Sequence, residues 1–497
     1  MPAVLVSYSS FKSLASLPWQ FVVRVYRGGL NRRNIPTLAF NFALNFFPVF
    51  LWLTIFKNAG VIPTRLRPRI HSQLAFLADV FMFGDSAGEL VSQYGADARF
   101  AAAMTWLTST VFALAVLVAA PVSVWYYLYY KRRLNYNVID PYAALFHRNQ
   151  PFSPTAPRAI LPFLFLIYTF VGLNTVHLLT SQNEDNFTKN KDLLAWTSYV
   201  LLHLLAPIFT AVYLYVFHPP GTLKAFSLAM GLQNICGVFS HLLVPMAPPW
   251  FVHMYGIKDT EHVSYEQEGF AAGLTRVDSH LGTHLNSKGF HKSPIVFGAV
   301  PSLHSAIAVQ CFLFLITRAT STKANFGSAS QGQNRDCVQL QEPPTIAASQ
   351  LSAPKEPESF ELDSVTDVSL TPSGGSVTPP PNMVYATPIP EAALNSRWLR
   401  IFHIAFLPRF LGTTFPLLQW WSTMYLDHHF RFDLFVGMCY AVTSFLIVNH
   451  YYLQPRVLKR WCNLRMGVEP DIRKEAKTMG MRVFENTNVE WFFDPFA

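Results

Sequence analysis

The chain has 497 residues, of which 51% are hydrophobic and 13% are charged. Average soluble domains carry about 25% charged residues, so this composition excludes an ordinary soluble protein and indicates an integral membrane protein. The net charge of +9 is typical of basic cytosolic loops in a membrane protein, and no nucleic-acid-binding motif accompanies it. The five cysteines match no metal-ligand spacing, so we predict neither a zinc site nor a disulfide framework.

Residues 1–35 are expected to form a cytosolic segment with an amphipathic helix on the membrane surface. After them, apolar segments long enough to cross a bilayer recur along the chain. A spanning helix needs about 20 largely apolar residues. About eight segments qualify, at roughly 36–56, 102–130, 159–180, 193–217, 224–246, 295–317, 404–426 and 434–453. Two prolines and Arg409 interrupt the seventh segment. Its alternative interpretation is a helix that begins at the membrane interface and crosses the bilayer only from Phe410. We therefore predict an all-α, polytopic membrane protein.

Basic clusters set the expected orientation. They precede the first span, separate the second from the third, and follow the eighth, so the positive-inside rule places them, and both termini, in the cytosol. Spans one to six then occupy 36–317, with a lumenal loop at 247–294, and the last two spans occupy 397–453. Residues 318–396, rich in Ser, Thr, Pro and Gln, are expected to form a disordered cytosolic insert, and 454–497 a cytosolic tail.

Ionisable residues are concentrated at the lumenal ends of spans six and eight. In "GAVPSLHSAIAV", Pro301 and Ser302 are good residues to begin a helix, and His304 follows in its first turn. A helix N-terminus offers free N–H groups to a phosphate. In "MYLDHHFRFDLFVG", His429 and Asp433 lie four residues apart and would share a helical face. Asp433 could then fix the tautomer of His429 and leave its other nitrogen as a base or nucleophile.

The simpler alternative is that these histidines have no catalytic role. An isolated histidine near a membrane interface is usually a tolerated polar residue, and we interpret His177, His203, His241 and His403 in that way. His428 lies five residues before Asp433, about 140° around a helix, and should point elsewhere. Because the two segments lie at the same membrane face by an independent topology argument, together they predict a phosphoryl-transfer site.

The same residues carry a family resemblance. "PSLH" at 301–304 and Ser422-x6-His429-x3-Asp433 resemble the second and third signatures of the type 2 phosphatidic acid phosphatase superfamily. The chain resembles more closely the catalytic subunits of the fungal inositol phosphorylceramide synthases, the targets of aureobasidin A. That resemblance rests on "GTLKAFSLAMGLQN", "APPWFVHMYG", "GFHKSPIVFGAVPSLHSA" and "MYLDHHFRFDLFVG". It implies a phosphatidic acid phosphatase-like helical core.

The resemblance implies transfer of phosphoinositol from phosphatidylinositol to the C1 hydroxyl of ceramide, with release of diacylglycerol. It further implies a Golgi membrane, a lumenal active site, a small regulatory membrane subunit, and neither metal nor cofactor. His429 would attack phosphorus, Asp433 would orient it, and His304 would protonate the leaving group. A phosphohistidine intermediate and direct transfer with His429 as base both remain open.

The chain departs from the superfamily where the phosphatases bind phosphate. Leu303 replaces a glycine, Thr423 replaces an arginine, and the Lys-x6-Arg-Pro motif is absent. Substitute phosphate ligands would come from Ser302 and from four cations, Arg276, Lys288, Lys292 and Arg431, of which we favour Arg276 and Lys292. A lipid phosphate phosphatase is the nearest alternative. A transporter or scaffold without chemistry is the other, but the internal repeats that transporters often show are not found.

Overall fold

The computed structural model describes residues 8–31, 33–83, 155–180, 187–318, 406–465 and 469–495, with four single residues near the end of the insert, Thr387, Pro390, Ala393 and Ser396. The predicted span 102–130 and most of the predicted insert 318–396 lie outside these described residues.

The described residues are helical, and their strand-like pairing is limited to two isolated bridges, His71–Met246 and Met246–Gly298. The all-α prediction is confirmed. The helices are α1 (Tyr8–Leu30), α2 (Ile35–Asn58), α3 (Leu74–Phe83), α4 (Thr155–Leu179), α5 (Lys189–Phe217, with π-helical turns at Thr197–Leu202), α6 (Thr222–Leu243), α7 (Pro249–Tyr255), α8 (Leu274–Leu281), α9 (Leu285–His291), α10 (Leu303–Arg318), α11 (Phe406–Tyr425), α12 (Arg431–Val448, continued by π-helical turns at Asn449–Leu458), α13 (Lys459–Arg465) and α14 (Met479–Val483). Short 3-10 turns form at Ala59–Val61, Thr64–Leu66 and Glu490–Phe493.

Each predicted span within the described residues overlaps one of these helices. Four helical segments are long and apolar enough to cross a membrane, namely Ile35–Val61, Lys189–Phe217, Thr222–Leu243 and Arg431–Leu458. Shorter apolar helices lie at Leu74–Phe83, Ile167–Leu179 and Leu303–Thr317. The chain is thus a multi-pass membrane protein, and the number of about eight spans stays a prediction.

Two helix boundaries differ from the expected spans. Span six was expected from residue 295, but α10 begins at Leu303, because the preceding residues form bends and a single bridge between Gly298 and Met246. Helix α3 was not predicted, since its 10 residues fall below the length used to recognise a span. Both differences affect the candidate site, because they position residues at the starts of α10 and α12.

Helix α2 presents apolar side chains outward along its whole length. None of its residues is buried, and Phe40, Phe47 and Phe50 are exposed. An apolar surface of this extent is characteristic of contact with lipid or a membrane partner. The helix therefore has the surface expected of a lipid-facing span.

A buried hydrogen-bond chain joins α10, α11 and α12. The Trp420 indole N–H donates to Ser305 Oγ at 2.8 Å, and the Ser305 hydroxyl donates to the Leu434 carbonyl at 2.6 Å. Trp420, Ser305 and Leu434 are all completely buried. Satisfied buried polar groups of this kind specify one packing arrangement. This chain fixes the beginnings of α10 and α12 relative to each other.

The N-terminal and C-terminal segments pack against each other. Arg482 on α14 donates from Nε to the carbonyl of Gly28 on α1 at 3.1 Å. The tail is further tied by a buried Arg465–Asp494 ion pair of 2.6 Å, and Thr387 donates its N–H and hydroxyl to the same carboxylate, each at 2.9 Å. Termini on one side of the membrane agree with the even number of spans that we expect.

Candidate active site

A cavity of about 300 Å³ lies among α5, α6, α10 and the segment between α11 and α12. We call it the histidine cavity, because its lining includes the rings of His203, His241, His304, His428 and His429. The sequence predicted that His304 and His429 come together, and their ring centroids are 5.7 Å apart. One cavity therefore receives both proposed catalytic rings.

Asp433 orients the His429 ring, although not through a shared helical face. Helix α12 begins at Arg431, so His429 precedes it and Asp433 lies in its first turn. Asp433 Oδ2 accepts the Phe430 N–H at 3.0 Å and lies 3.3 Å from His429 Nδ1. The carboxylate thus caps the helix and holds the ring at once. A proton on Nδ1 leaves Nε2 as the nitrogen that can act as a base or nucleophile.

Ser302 joins the two histidine-bearing segments. Its hydroxyl oxygen accepts the Ser305 N–H at 3.3 Å, which is the N-cap expected from the sequence, and its own N–H donates to the Asp433 carbonyl at 3.0 Å. Ser302 is completely buried and does not line the histidine cavity. Its contacts make it a link between α10 and α12, and the predicted role in substrate binding stays a prediction.

Two neighbouring rings from α5 hold His304. The Tyr199 ring stacks on His304 with centroids 4.2 Å apart, and the His203 ring lies at the same 4.2 Å separation. Tyr199 belongs to the π-helical turns, a feature often found at functional sites. Sequence reasoning gave His203 a structural role, yet an ionisable residue within an apolar span was itself the signal for a functional position.

His241 and His428 complete the ring of histidines. His241 Nε2 lies 2.8 Å from the Pro301 carbonyl oxygen and so fixes the position of the segment that precedes α10. His428 stacks between Tyr199 and Phe290, with centroids 4.9 and 4.8 Å apart. No contact between His428 and Asp433 is present, as its sequence spacing suggested. From the sequence, His241 was interpreted as a tolerated polar residue, whereas the structure places it in the wall of the histidine cavity.

The cations considered as phosphate ligands lie outside the histidine cavity. Arg276 pairs through Nε with Asp192 at 3.0 Å, and Lys288 and Lys292 are exposed in and after α9. Arg431 Nη2 pairs with Asp79 at 3.0 Å. Phosphate binding by Arg276 and Lys292 therefore stays a prediction, without support from this geometry.

Asp79 on α3 is a positioning residue that sequence reasoning missed. Besides its ion pair with Arg431, its Oδ1 accepts the N–H of Phe432 at 2.9 Å. A carboxylate beside the first turn of a helix is favoured by the exposed N–H groups there. Asp79 thereby fixes the beginning of α12, next to Asp433. Within the part of the chain that the structure describes, no three His, Cys, Asp or Glu side chains are placed to hold a metal ion.

One wall of the histidine cavity is apolar and comes from α2. Trp52, Leu53 and Phe56 line the cavity, while Phe46 and Val49 of the same helix pack against the core. Apolar walls with a few polar groups are typical of small-molecule sites. A lipid could place its chains along this wall and its headgroup at the histidines.

The close approach of α12 to Ser302 requires glycine at position 437. A Cβ at Gly437 would lie 2.2 Å from the Ser302 carbonyl oxygen. Overpacking of this kind typically costs about 1–3 kcal/mol, so Gly437→Ala should lower the unfolding temperature in detergent and reduce activity. Gly289→Ala is the matched control, because nothing lies within 4 Å of its Cβ position. Equal unfolding temperatures for the two variants would contradict this packing.

The chain is similar to known proteins over different lengths. The PAP2 superfamily model matches residues 165–326. Inositolphosphotransferase 1 of Saccharomyces cerevisiae is 49% identical over 527 aligned residues, covering 98% of this chain and 99% of the relative. The inositol phosphorylceramide synthase catalytic subunit aur1 of Schizosaccharomyces pombe is 41% identical over 124 residues, 25% of this chain and 29% of that protein. No solved structure matches.

A bacterial protein shares a smaller part of the chain. The phosphoinositol dihydroceramide synthase of Bacteroides thetaiotaomicron is 31% identical over 110 residues, 22% of this chain and 35% of that protein. The helical fold and these matches define a multi-pass membrane protein with a PAP2-like domain. Within it, the chain belongs to the inositol phosphotransferase family, through its similarity to the yeast relative over nearly the full length of both chains. The resemblance inferred from the sequence is confirmed.

Proposed function

We propose that the chain is a phosphotransferase that moves phosphoinositol from phosphatidylinositol to the primary hydroxyl of ceramide and releases diacylglycerol. The observation that carries this proposal is the His429–Asp433 pair facing His304 across one cavity, with 5.7 Å between the two histidine rings. An oriented nucleophile and a nearby acid–base group are the parts that group transfer requires. The names of the relatives supply the transferred group.

In the proposed reaction, His429 Nε2 attacks phosphorus while the bond between phosphorus and the diacylglycerol oxygen breaks. Protonated His304 gives its proton to that oxygen, so diacylglycerol leaves neutral. The ceramide hydroxyl then attacks the phosphohistidine, His304 takes its proton, and His429 is released. Direct transfer is the alternative, with His429 removing the ceramide proton. In both routes Asp433 stabilises the cationic ring of His429.

The site is proposed to face the lumen of a Golgi membrane, as the family resemblance implies, and a small membrane subunit is proposed to regulate it. Cysteines introduced at Ser287 and, in the insert, at Ser352 should react with an impermeant thiol reagent from opposite sides of sealed vesicles. Labelling from one side would disprove the lumenal orientation. Purification from native membranes without any small membrane protein in stoichiometric amount would count against the subunit.

A second acceptor is supported by a difference among the relatives. The relative matched over its full length is named for the transferred group alone, whereas the relatives named for ceramide or dihydroceramide match about a quarter of this chain. A ceramide whose C1 hydroxyl already carries a polar headgroup would offer a headgroup hydroxyl instead. The chemistry at His429 and His304 would be the same for both acceptors.

The decisive assay offers phosphatidylinositol labelled in its inositol ring to the purified protein, with separate acceptors. Ceramide, a ceramide bearing a polyol headgroup, and no lipid acceptor should be compared, with His429→Ala protein as the blank. Label in a new sphingolipid supports the transferase and identifies its acceptor. Release of water-soluble inositol phosphate alone would support a lipid phosphatase, and no turnover in any mixture would support a protein without this chemistry.

A further inference from the structure

A second, smaller cavity of about 190 Å³ lies beside the histidine cavity. We call it the headgroup cavity, and its polar lining includes His253, Arg276 and Asp427. Its aromatic lining comes from Phe187, Phe270 and Tyr425. Its volume is about six times the roughly 30 Å³ that one water molecule occupies in the liquid. This volume is sufficient for one small polar ring.

Arg276 lines this cavity, and its guanidinium carries a hydrogen-bond donor without a partner among the described residues. Its Nε is held by Asp192 at 3.0 Å, and its guanidinium lies over the Phe187 ring, 4.0 Å from the centroid. Nη2 is buried and has no hydrogen-bond partner among the residues that the structure describes. A buried donor without a partner is costly. An oxygen of a bound molecule would satisfy it.

Asp427 brings acceptors to the same cavity. His253 Nδ1 lies 2.8 and 2.9 Å from the two carboxylate oxygens of Asp427, and this hydrogen bond raises the pKa of His253. A carboxylate has about four lone-pair positions, so it can accept further hydrogen bonds. An anion would be drawn to Arg276 and repelled by Asp427. Hydroxyl groups can both accept from Arg276 and donate to Asp427.

The headgroup cavity is close to the proposed reacting residues both in sequence and in space. Asp427 immediately precedes His428 and His429, and its φ of 62° places it in the left-handed region, where Asp is more frequent than most residues. Phe270 lines both cavities. The Gly273 N–H donates to the Leu426 carbonyl at 3.0 Å, an approach so close that a Cβ at Gly273 would lie 2.8 Å from Leu426 Cα.

We propose that the headgroup cavity binds the hydroxyl groups of a polyol ring carried by a lipid substrate, between Arg276 and Asp427 and against the aromatic walls. This inference rests on the proposed phosphoinositol transfer. The ring belongs either to the phosphatidylinositol donor or to the headgroup of a glycosylated acceptor. Both sources present the same hydroxyl chemistry, and kinetics separates them.

The test replaces Asp427 with asparagine, which keeps the size of the side chain and removes its charge. A hydrogen bond to a charged group is worth enough to change an affinity about tenfold or more. KM for one lipid should therefore rise about tenfold, with a smaller change in kcat. A higher KM for phosphatidylinositol assigns the ring to the donor, whereas a higher KM for the headgroup-bearing acceptor assigns it to the acceptor.

Asp259→Asn is the matched control, because Asp259 makes a similar ion pair with His262, at 3.1 Å, outside both cavities. A binding measurement, which needs no turnover, tests the inference independently of the proposed reaction. Soluble glycerophosphoinositol and a soluble glycoside are added to purified protein, and thermal stabilisation is recorded. Stabilisation lost in Asp427→Asn but kept in Asp259→Asn supports the cavity even if no transfer is detected. Unchanged KM values and unchanged stabilisation in Asp427→Asn would overturn it.

Discussion

Replacing His429 with alanine should abolish phosphoinositol transfer while the protein still inserts and accumulates. The ring lies in the histidine cavity with Nδ1 3.3 Å from Asp433, so its other nitrogen is the group positioned to attack phosphorus. Without a nucleophile or base at this position, the remaining groups can bind the lipids but cannot start the transfer. Turnover should be measured with labelled phosphatidylinositol on protein purified to equal amounts.

Asp433→Asn extends the same prediction. Asparagine keeps the shape and an oxygen for the Phe430 N–H, which Asp433 accepts at 3.0 Å, but it removes the charge that stabilises the His429 cation. Losses of about 10⁴ in turnover are known for this change in an Asp–His pair elsewhere. The unfolding temperature should change little, because an Asn side chain also caps helices well. A large loss of stability with normal turnover would contradict the catalytic role.

His428→Ala provides the comparison within the same segment. His428 stacks on Tyr199 and Phe290 and has no contact with Asp433, so its loss should leave substantial activity with an altered substrate affinity. The opposite pattern would be decisive. An inactive His428→Ala together with an active His429→Ala would show that the mechanism had been assigned to the wrong ring.

The sequence predicted the pairing of His429 with Asp433 correctly, but for a different reason from the one the structure shows. Four-residue spacing suggested a common helical face, whereas the structure uses the first turn of α12, with His429 outside the helix. Spacing cannot distinguish a helical face from a capping contact, because both bring residues four apart into contact. The start of α12 depends on Asp79, which is 352 residues away from Arg431 in the chain.

The wall of the histidine cavity could be predicted only in part. His304 and His429 were recognisable because each belongs to a short motif with neighbouring polar groups. Tyr199 and His203 stand alone within apolar α5, and only its packing against α10 places both rings 4.2 Å from His304. The loop that carries Arg276 leads into α10, which is why the sequence predicts a phosphate ligand there. Its Nε pairs with the buried carboxylate of Asp192 at 3.0 Å and it does not line the histidine cavity, so phosphate binding stays a prediction.

His304→Ala should lower transfer severely, since His304 faces His429 across the cavity and is the proposed donor of a proton to the departing diacylglycerol oxygen. General acid–base catalysis typically contributes about 10²–10⁴-fold. The loss should not add to that of His429→Ala, because the two groups act in one step. His262→Ala, at a partly exposed position outside both cavities, should retain turnover.

The acid role of His304 can be separated from a purely structural one by changing the leaving group. A donor that releases p-nitrophenol in place of diacylglycerol needs almost no protonation of its leaving oxygen. In the first turnover with this donor, p-nitrophenol release by His304→Ala should come to within about tenfold of the unaltered protein, because the proton transfer to the leaving oxygen, worth about 10²–10⁴-fold, is no longer required. The later attack by ceramide still needs His304 as the base, so only the release step is compared. His429→Ala should stay inactive with both donors, since the attack on phosphorus is unchanged. An equal defect of His304→Ala with both donors would mean that His304 supports the cavity through its stacking with Tyr199 and does not supply the proton.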